Sequence, residues 1–421
     1  MKSKLVFLLV CLFAFALNAA AEFRAGIAVR IVTPDPLLPV SGGVGPSHKV
    51  TRKEGELNVR ALVLEQDKTR VAIVSADFLG FPATLGNKVR AGIKEIPPEN
   101  ILIGATHTHS APDCYGFPDG KGGTASDPKY LESVCAKMTE AIQDAVSKLQ
   151  PAKLKIATGK AQGKIAYNYY APQLYDPRCN VIQAVDASGK PFATLVNYAV
   201  HPEVLGNSVG ICSPDLIGPL YDRIAEKGGG TAIFMNSAQG GMVTADNRQQ
   251  GGKDLRTWEE CLRIGGLLGD EALRIIQDAP EQASPKLYCA ARPLTLPVDS
   301  PLMRTLFKQL PGTPGGDTKS VTTQLNLINL GTAQILTIPG EALPNIGFYL
   351  KRKMHGQSNL LFGLTNDAFG YILTKEDYQS FERYDYVSRT SLGERTGEVL
   401  VDEALKFVNE SPRPEEVKTV N

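Results

Sequence analysis

Two of the chain's five histidines, His107 and His109, stand within three residues of each other, directly behind the apolar run Ile101–Gly104. Their alternate spacing puts both rings on one side if the segment stays extended past a strand end. His201 closes a second apolar run, Thr194–Val200, and Glu341 follows a third, Gln334–Ile338, through Pro339 and Gly340. Histidine is the commonest metal ligand, and open α/β sheets take ligands at the carboxyl ends of their strands. Two imidazoles and a carboxylate at three strand ends are the usual ligand set of a catalytic zinc with an open coordination position. Singly, each has a plainer reading: a hydrogen-bonded turn for a histidine, and for Glu341 an acid favoured by the dipole of a helix's first turn.

Strand ends require strands. Short apolar, β-branched runs recur at Val59–Glu65, Arg70–Ala76, Ile101–Ala105, Leu154–Ala157, Val181–Ala184, Ala193–Val200, Thr231–Met235, Leu325–Leu330, Gln334–Ile338 and Leu360–Leu364. Each reads as a strand. Between them, Pro128–Leu149, Asp215–Lys227, Thr257–Gln277, Glu341–Met354 and Ser391–Val408 repeat apolar residues at spacings of three and four and read as helices. This interleaving predicts an α/β fold, a layered mixed sheet flanked by helices. Ser284–Val321 is richer in proline and lacks helical period, no internal repeat is apparent, and the tail from Glu410 is expected to fray.

The 421 residues are enough to bury a sizeable core. The N-terminus carries Lys2 and Lys4, then an apolar run from Leu5 to Leu17, then Asn18-Ala19-Ala20-Ala21 before Glu22. That is the pattern of a secretory signal peptide, residues 1–21, and it predicts an exported protein, secreted or periplasmic. No later segment approaches the length needed to span a bilayer. With 45 basic and 44 acidic side chains, charge implies neither nucleic acid nor an anionic surface as partner. Six cysteines follow the leader, an even number that in an exported protein permits up to three disulfides or leaves buried thiols.

Two further patterns are weaker. Gly206-Asn207-Ser208-Val209-Gly210 matches the Gly-x-Ser-x-Gly of a serine-hydrolase elbow, but five irregular residues separate it from the strand and Pro214 follows, where an elbow needs a strand before and a helix after. Gly120-Lys121-Gly122-Gly123 lacks the ending of a phosphate loop and reads as a turn.

In order along the chain stand Thr106-His107-Thr108-His109-Ser110, Asn197-Tyr198-Ala199-Val200-His201, Ser213-Pro214-Asp215, Asn236-Ser237-Ala238-Gln239-Gly240-Gly241, Pro339-Gly340-Glu341 and Asn366-Asp367-Ala368-Phe369-Gly370-Tyr371. This order resembles the neutral/alkaline, non-lysosomal ceramidase family over residues 22–409. The resemblance implies the catalytic domain of that family, a Zn2+ cofactor, and a small-molecule or lipid amide as substrate. It implies that His107, His201, Glu341 and Tyr371 match the zinc ligands and that His109 faces the substrate. A family serine at the zinc water falls on Val243, or on Thr244 if the alignment shifts by one, and a family arginine appears as Tyr169 after Asn168. Asp77 and Asp215 are candidates to support the ligands, since metal-bound histidines usually give their other nitrogen to a carboxylate or carbonyl. The expected function is zinc-dependent cleavage of an N-acyl amide; the alternative is a zinc-containing binding protein that has lost turnover.

Overall fold

A computed structural model describes residues 22–249, 253–309 and 319–416. The leader reading, residues 1–21, lies outside the described residues. The long strands come in three groups of four, and short strands extend two of these sheets to five and form small two-stranded pairs elsewhere. In the first, β1 (Arg24–Ile31), β2 (Asn58–Gln66) and β3 (Thr69–Ala76) pair antiparallel in succession, α1 (Ala83–Ala91) crosses over, and β4 (Ile101–Ala105) returns parallel to β3. Helix α2 (Pro128–Ser147) then packs back onto β1 and β2.

The second group repeats this topology. β5 (Lys153–Lys160), β6 (Arg178–Val185) and β7 (Pro191–Tyr198) are antiparallel, α3 (Ile217–Glu226) crosses over, β8 (Thr231–Asn236) runs parallel to β7, and α4 (Trp258–Ile276) covers the sheet. So does the third. β9 (Leu287–Pro297), β10 (Ser320–Leu330) and β11 (Ala333–Thr337) are antiparallel, with α5 (Pro301–Gln309) between β9 and β10. Helix α6 (Pro344–Lys353) leads to the parallel β12 (Ser358–Phe362), and α7 (Asp385–Arg389) and α8 (Thr396–Glu410) follow.

The sequence shows no internal repeat; the structure shows a threefold one. What repeats is topology and apolar patterning, not residue identity. Alternation along each strand supplies two faces. Ile73, Ile233 and Ile328, one from each sheet, meet in a single central core. Their neighbours Val74, Phe234 and Leu327 face outward to three separate cores, each closed by that unit's own helices. Strands buried on both faces read as continuous apolar runs.

Local chemistry sets the helix ends. Pro128 opens α2 behind Asp127, whose carboxylate accepts the Tyr130 N–H at 2.9 Å, and Thr257 caps α4. Two predicted boundaries move. The helix expected from Glu341 begins at Pro344, and Glu341 lies instead in a two-residue strand, Glu341–Ala342, paired with Tyr371–Ile372. The helix dipole therefore does not account for Glu341. The helix expected from Ser391 begins at Thr396. The proline-rich stretch from Ser284 carries β9 and α5, and β1 was not legible as a strand. Past Glu410, the Pro412 carbonyl accepts from Asn329, and Glu415 bonds Gly331 and Lys286. The six described cysteines are all free thiols, five of them buried, so none of the permitted disulfides forms among them.

Candidate metal centre and active site

The three units meet at one end of the central core, where the loops after β4, β7 and β11 deliver one side chain each. His107 sits two residues past β4, its N–H bonded to the Phe78 carbonyl at 2.9 Å. Its backbone is left-handed, φ 73°, a conformation rare outside glycine. The extended path expected through His107 and His109 is thus broken, yet the two rings still meet edge to face, centroids 4.8 Å apart. His201 lies three residues past β7, held by a 2.7 Å bond from its N–H to the Val243 carbonyl. Glu341, four residues past β11, donates its N–H to the Gly370 carbonyl at 2.8 Å.

The side chains converge on one point. Glu341 Oε2 is 3.1 Å from His201 Nε2 and 3.3 Å from His107 Nε2, and all three residues are buried. Each ring turns its other nitrogen to a main-chain carbonyl, His107 Nδ1 to Leu79 and His201 Nδ1 to Val243. A carbonyl only accepts, so each Nδ1 carries the hydrogen, and in the neutral ring Nε2 is a lone pair. Two imidazole lone pairs and a carboxylate oxygen then face one another in a dry site, an arrangement that requires a cation among them or added protons. Burial pulls the His201 imidazole down, but its bond to Glu341 raises it above the ordinary value. Burial pushes the Glu341 carboxyl up, and the charges and hydrogen bonds of His107 and His201 outweigh it, holding it well below the usual range.

The donor set fits zinc. Two donors each about 2.1 Å from a tetrahedral zinc stand roughly 3.4 Å apart, close to the two separations here. The Nδ1 partners that had been expected from Asp77 and Asp215 are the two carbonyls instead. Asp77 accepts the Asn58 N–H at 2.8 Å, and burial pushes its carboxyl up to about 7. Asp215 accepts the N–H groups of Leu205 and Leu216, so it ties the loop after His201 to the start of α3.

The remaining candidates fall around this centre. His109 completes a cluster of three histidines whose ligating atoms lie within 4.8 Å of one another. Its Nε2 is buried without a partner, and burial, then the charges of His107 and His201, hold the ring well below its ordinary pKa. Tyr371, paired backbone to backbone with Glu341, stacks on His201 at 6.5 Å and gives its hydroxyl to Met242 Sδ at 3.2 Å. Thr244 bridges His201 through the backbone but does not line the cavity, and Val243, fully buried, spends its carbonyl on His201. Tyr169 is 61% exposed. Ser208 is exposed on a loop and precedes no helix turn.

A narrow cavity with roughly 80 Å³ of enclosed space opens from the cluster. His107, His109, Glu341 and Tyr371 form its polar end; Leu79, Phe117, Met303, Leu306, Phe307 and Phe369 give it apolar walls, and among the described residues neither Lys nor Arg lines it. Tyr115, Tyr386 and Glu203 were missed from sequence. Tyr115 sits in the same motif as His107, and Glu203 two residues after His201, so adjacency was the available signal. Tyr386 had none: it reaches the cavity only because α7 folds over it.

No protein-family model matches the chain. Among curated proteins it is similar to neutral ceramidase A of Dictyostelium discoideum, 28% identical over 132 residues, 28% of this chain and 18% of the relative. Neutral ceramidase of Pseudomonas aeruginosa is 25% identical over 218 residues, 46% of this chain and 32% of the relative. The matched stretches take in about a third or less of those proteins' own length. The crystal structure of the Pseudomonas aeruginosa neutral ceramidase superposes with a TM-score of 0.73 at 17% identity, over 95% of this chain and 77% of that one. A solved ceramidase complexed with C2 gives 0.72 over the same shares. In sequence and in fold, the chain is neutral-ceramidase-like.

Proposed function

We propose that the chain is a zinc-dependent hydrolase that cleaves an N-acyl amide whose acyl part is apolar. The observation that carries this reading is the meeting of two imidazole lone pairs and a buried carboxylate at the polar end of an apolar cavity. His107, His201 and Glu341 would hold the ion, with Tyr371 beside them. Bound zinc polarises an amide oxygen and lowers the pKa of water, the two demands of amide hydrolysis.

The chain's own residues do the rest. The walls at Phe307 and Phe369 exclude water and take up the acyl chain at about 0.8 kcal/mol per buried methylene. Among the described residues no Lys or Arg lines the cavity, which favours a neutral chain over one ending in a carboxylate. His109, whose Nε2 has no hydrogen-bond partner, takes the proton from the attacking water and returns it to the departing nitrogen. Similarity to named ceramidases supports the amide class, and ceramide itself is one candidate within it.

A second reading has its own support. The hydroxyl and the guanidinium that the family resemblance leads one to expect fall on Val243 or Thr244 and on exposed Tyr169, which suits a zinc-containing binding protein without turnover. One experiment separates the two: zinc content and hydrolysis of a panel of N-acyl compounds, for the wild type and His109→Ala. The hydrolase reading expects zinc in both and turnover in the wild type alone. Equal silence of both proteins, with zinc and an acylated ligand bound, would leave the binding protein.

A further inference from the structure

The geometry points to Glu203 as the residue that sets the orientation and tautomer of His109. The inference rests on the proposed role of His109 as the proton carrier. His107 and His201 give Nδ1 to main-chain carbonyls. His109 differs, with its Nδ1 3.4 Å from Glu203 Oε2. A carboxylate accepts and does not donate, so with the ring hydrogen on Nδ1 this contact closes to a hydrogen bond and the lone pair is left on Nε2. Nε2 is the buried nitrogen with no partner, the one available to a reacting group. The 3.4 Å separation is long, as catalytic contacts often are before substrate closes the site.

The carboxylate is delivered by a clamped loop. The His109 N–H bonds the Pro202 carbonyl at 3.1 Å, and the Glu203 N–H bonds the His201 carbonyl at 3.0 Å. Ser110 Oγ bonds the Gly206 carbonyl at 2.8 Å, Thr108 Oγ1 bonds the Ser213 carbonyl at 2.9 Å, and the Ser213 N–H returns to the Ser110 carbonyl at 2.9 Å. A Cβ at Gly42 would stand 3.2 Å from His109 Cβ, so the Gly42 main chain packs against the stem of that side chain, and it is a second hydrogen-bonding partner of the ring beside Glu203. The segment bearing the second unit's ligand thus also supports the first unit's free histidine. Glu203 does not touch the reacting atoms; it is a positioning residue.

The test compares the full chain with Glu203→Ala, Glu203→Leu and Glu203→Gln. Leucine keeps the bulk and has no acceptor, while glutamine keeps an acceptor without charge. Ring 15N spectra report the tautomer, and with five histidines the His109 signals are assigned by their loss in His109→Asn. The wild type is expected to show His109 with a protonated Nδ1 and an unprotonated Nε2. Ala and Leu should give mixed tautomers and lower kcat by about tenfold to a hundredfold, with KM within about twofold and zinc content unchanged. Gln should keep the wild-type tautomer and most of kcat. An unchanged tautomer in both Ala and Leu, or a Gln variant as impaired as Ala, overturns the assignment. If the wild type hydrolyses no amide, the proposed function fails, while the spectra still decide whether Glu203 sets the ring.

Discussion

Gly240→Ala is the substitution that tests most directly how the fold holds Glu341. A Cβ at Gly240 would lie 2.2 Å from the Glu341 carbonyl oxygen and 2.7 Å from the Ala342 carbonyl carbon, and contacts under 3.0 Å are essentially never seen. Both neighbours are backbone, so no side chain can swing aside. The Gly240 N–H also bonds the Ala342 carbonyl at 2.9 Å, which fixes the approach from the other side. Reaching 3.0 Å requires the Glu341–Ala342 strand to move about 0.8 Å. Overpacking of this kind costs about 1–3 kcal/mol of stability, and a misplacement near 1 Å costs on the order of a hundredfold in a positioned reaction. Glu341 Oε2 must stay within reach of two imidazoles at once, so the same shift weakens the metal site. Gly266→Ala is the control: a Cβ there meets nothing within 4 Å on α4, and alanine favours a helix by about 1 kcal/mol over glycine. Zinc affinity, from competition with a chromophoric chelator, and Tm are measured for both. Gly240→Ala is expected to lose at least tenfold in zinc affinity and to melt lower, and Gly266→Ala to lose neither. Wild-type zinc affinity in Gly240→Ala would refute the claim that this backbone contact sets the carboxylate.

Five other outcomes are expected. His107→Ala or His201→Ala removes one of the converging donors, and zinc content should fall to background, whereas Tyr371→Phe should lower zinc affinity about tenfold if the hydroxyl is a ligand and not at all if it only lines the cavity. Phe307→Ala opens the wall that meets Phe369 edge to face at 5.9 Å, so the kcat/KM optimum across an acyl-chain series should move to longer chains, by roughly fourfold per methylene newly accommodated. Asp77 ionises near 3.8 when unfolded and near 7 when buried in the fold, so between those values the folded state holds the extra proton and stability declines as pH rises, by about 4 kcal/mol at most. Asp77→Asn should flatten that decline in urea melts at pH 4 to 8. With all six described cysteines free, added reductant should leave Tm unchanged, and a shift of several degrees would show that a bridge had formed.

Much of the site was legible because its ligands sit where strands end. The apolar runs Ile101–Ala105, Thr231–Met235 and Gln334–Ile338 predict strands through local pattern, and His107 and Glu341 follow two of them within four residues. Helix α4 was legible for the same reason, a cap at Thr257 and apolar residues at helical spacing. Glu341 shows the limit. Local rules assign it to a helix's first turn, but its partner strand, Tyr371–Ile372, lies about thirty residues away and outweighs them. β1 and β9 were missed because their residues are less uniformly apolar, and their pairing with β2 and β10 supplies what composition does not.

By itself the sequence determined the types of element, the chemistry of the donors, and the order in which they occur, because these depend on residue identity and near neighbours. Tertiary structure alone decided that three units of one topology pack about one core, so that each unit contributes one ligand to a single point. It also decided which nitrogen of each ring is free. Nδ1 of His107 and of His201 finds the carbonyls of Leu79 and Val243, residues 28 and 42 positions away, and Nδ1 of His109 finds Glu203. Tautomers follow from partners, and partners so distant in sequence are chosen by the fold.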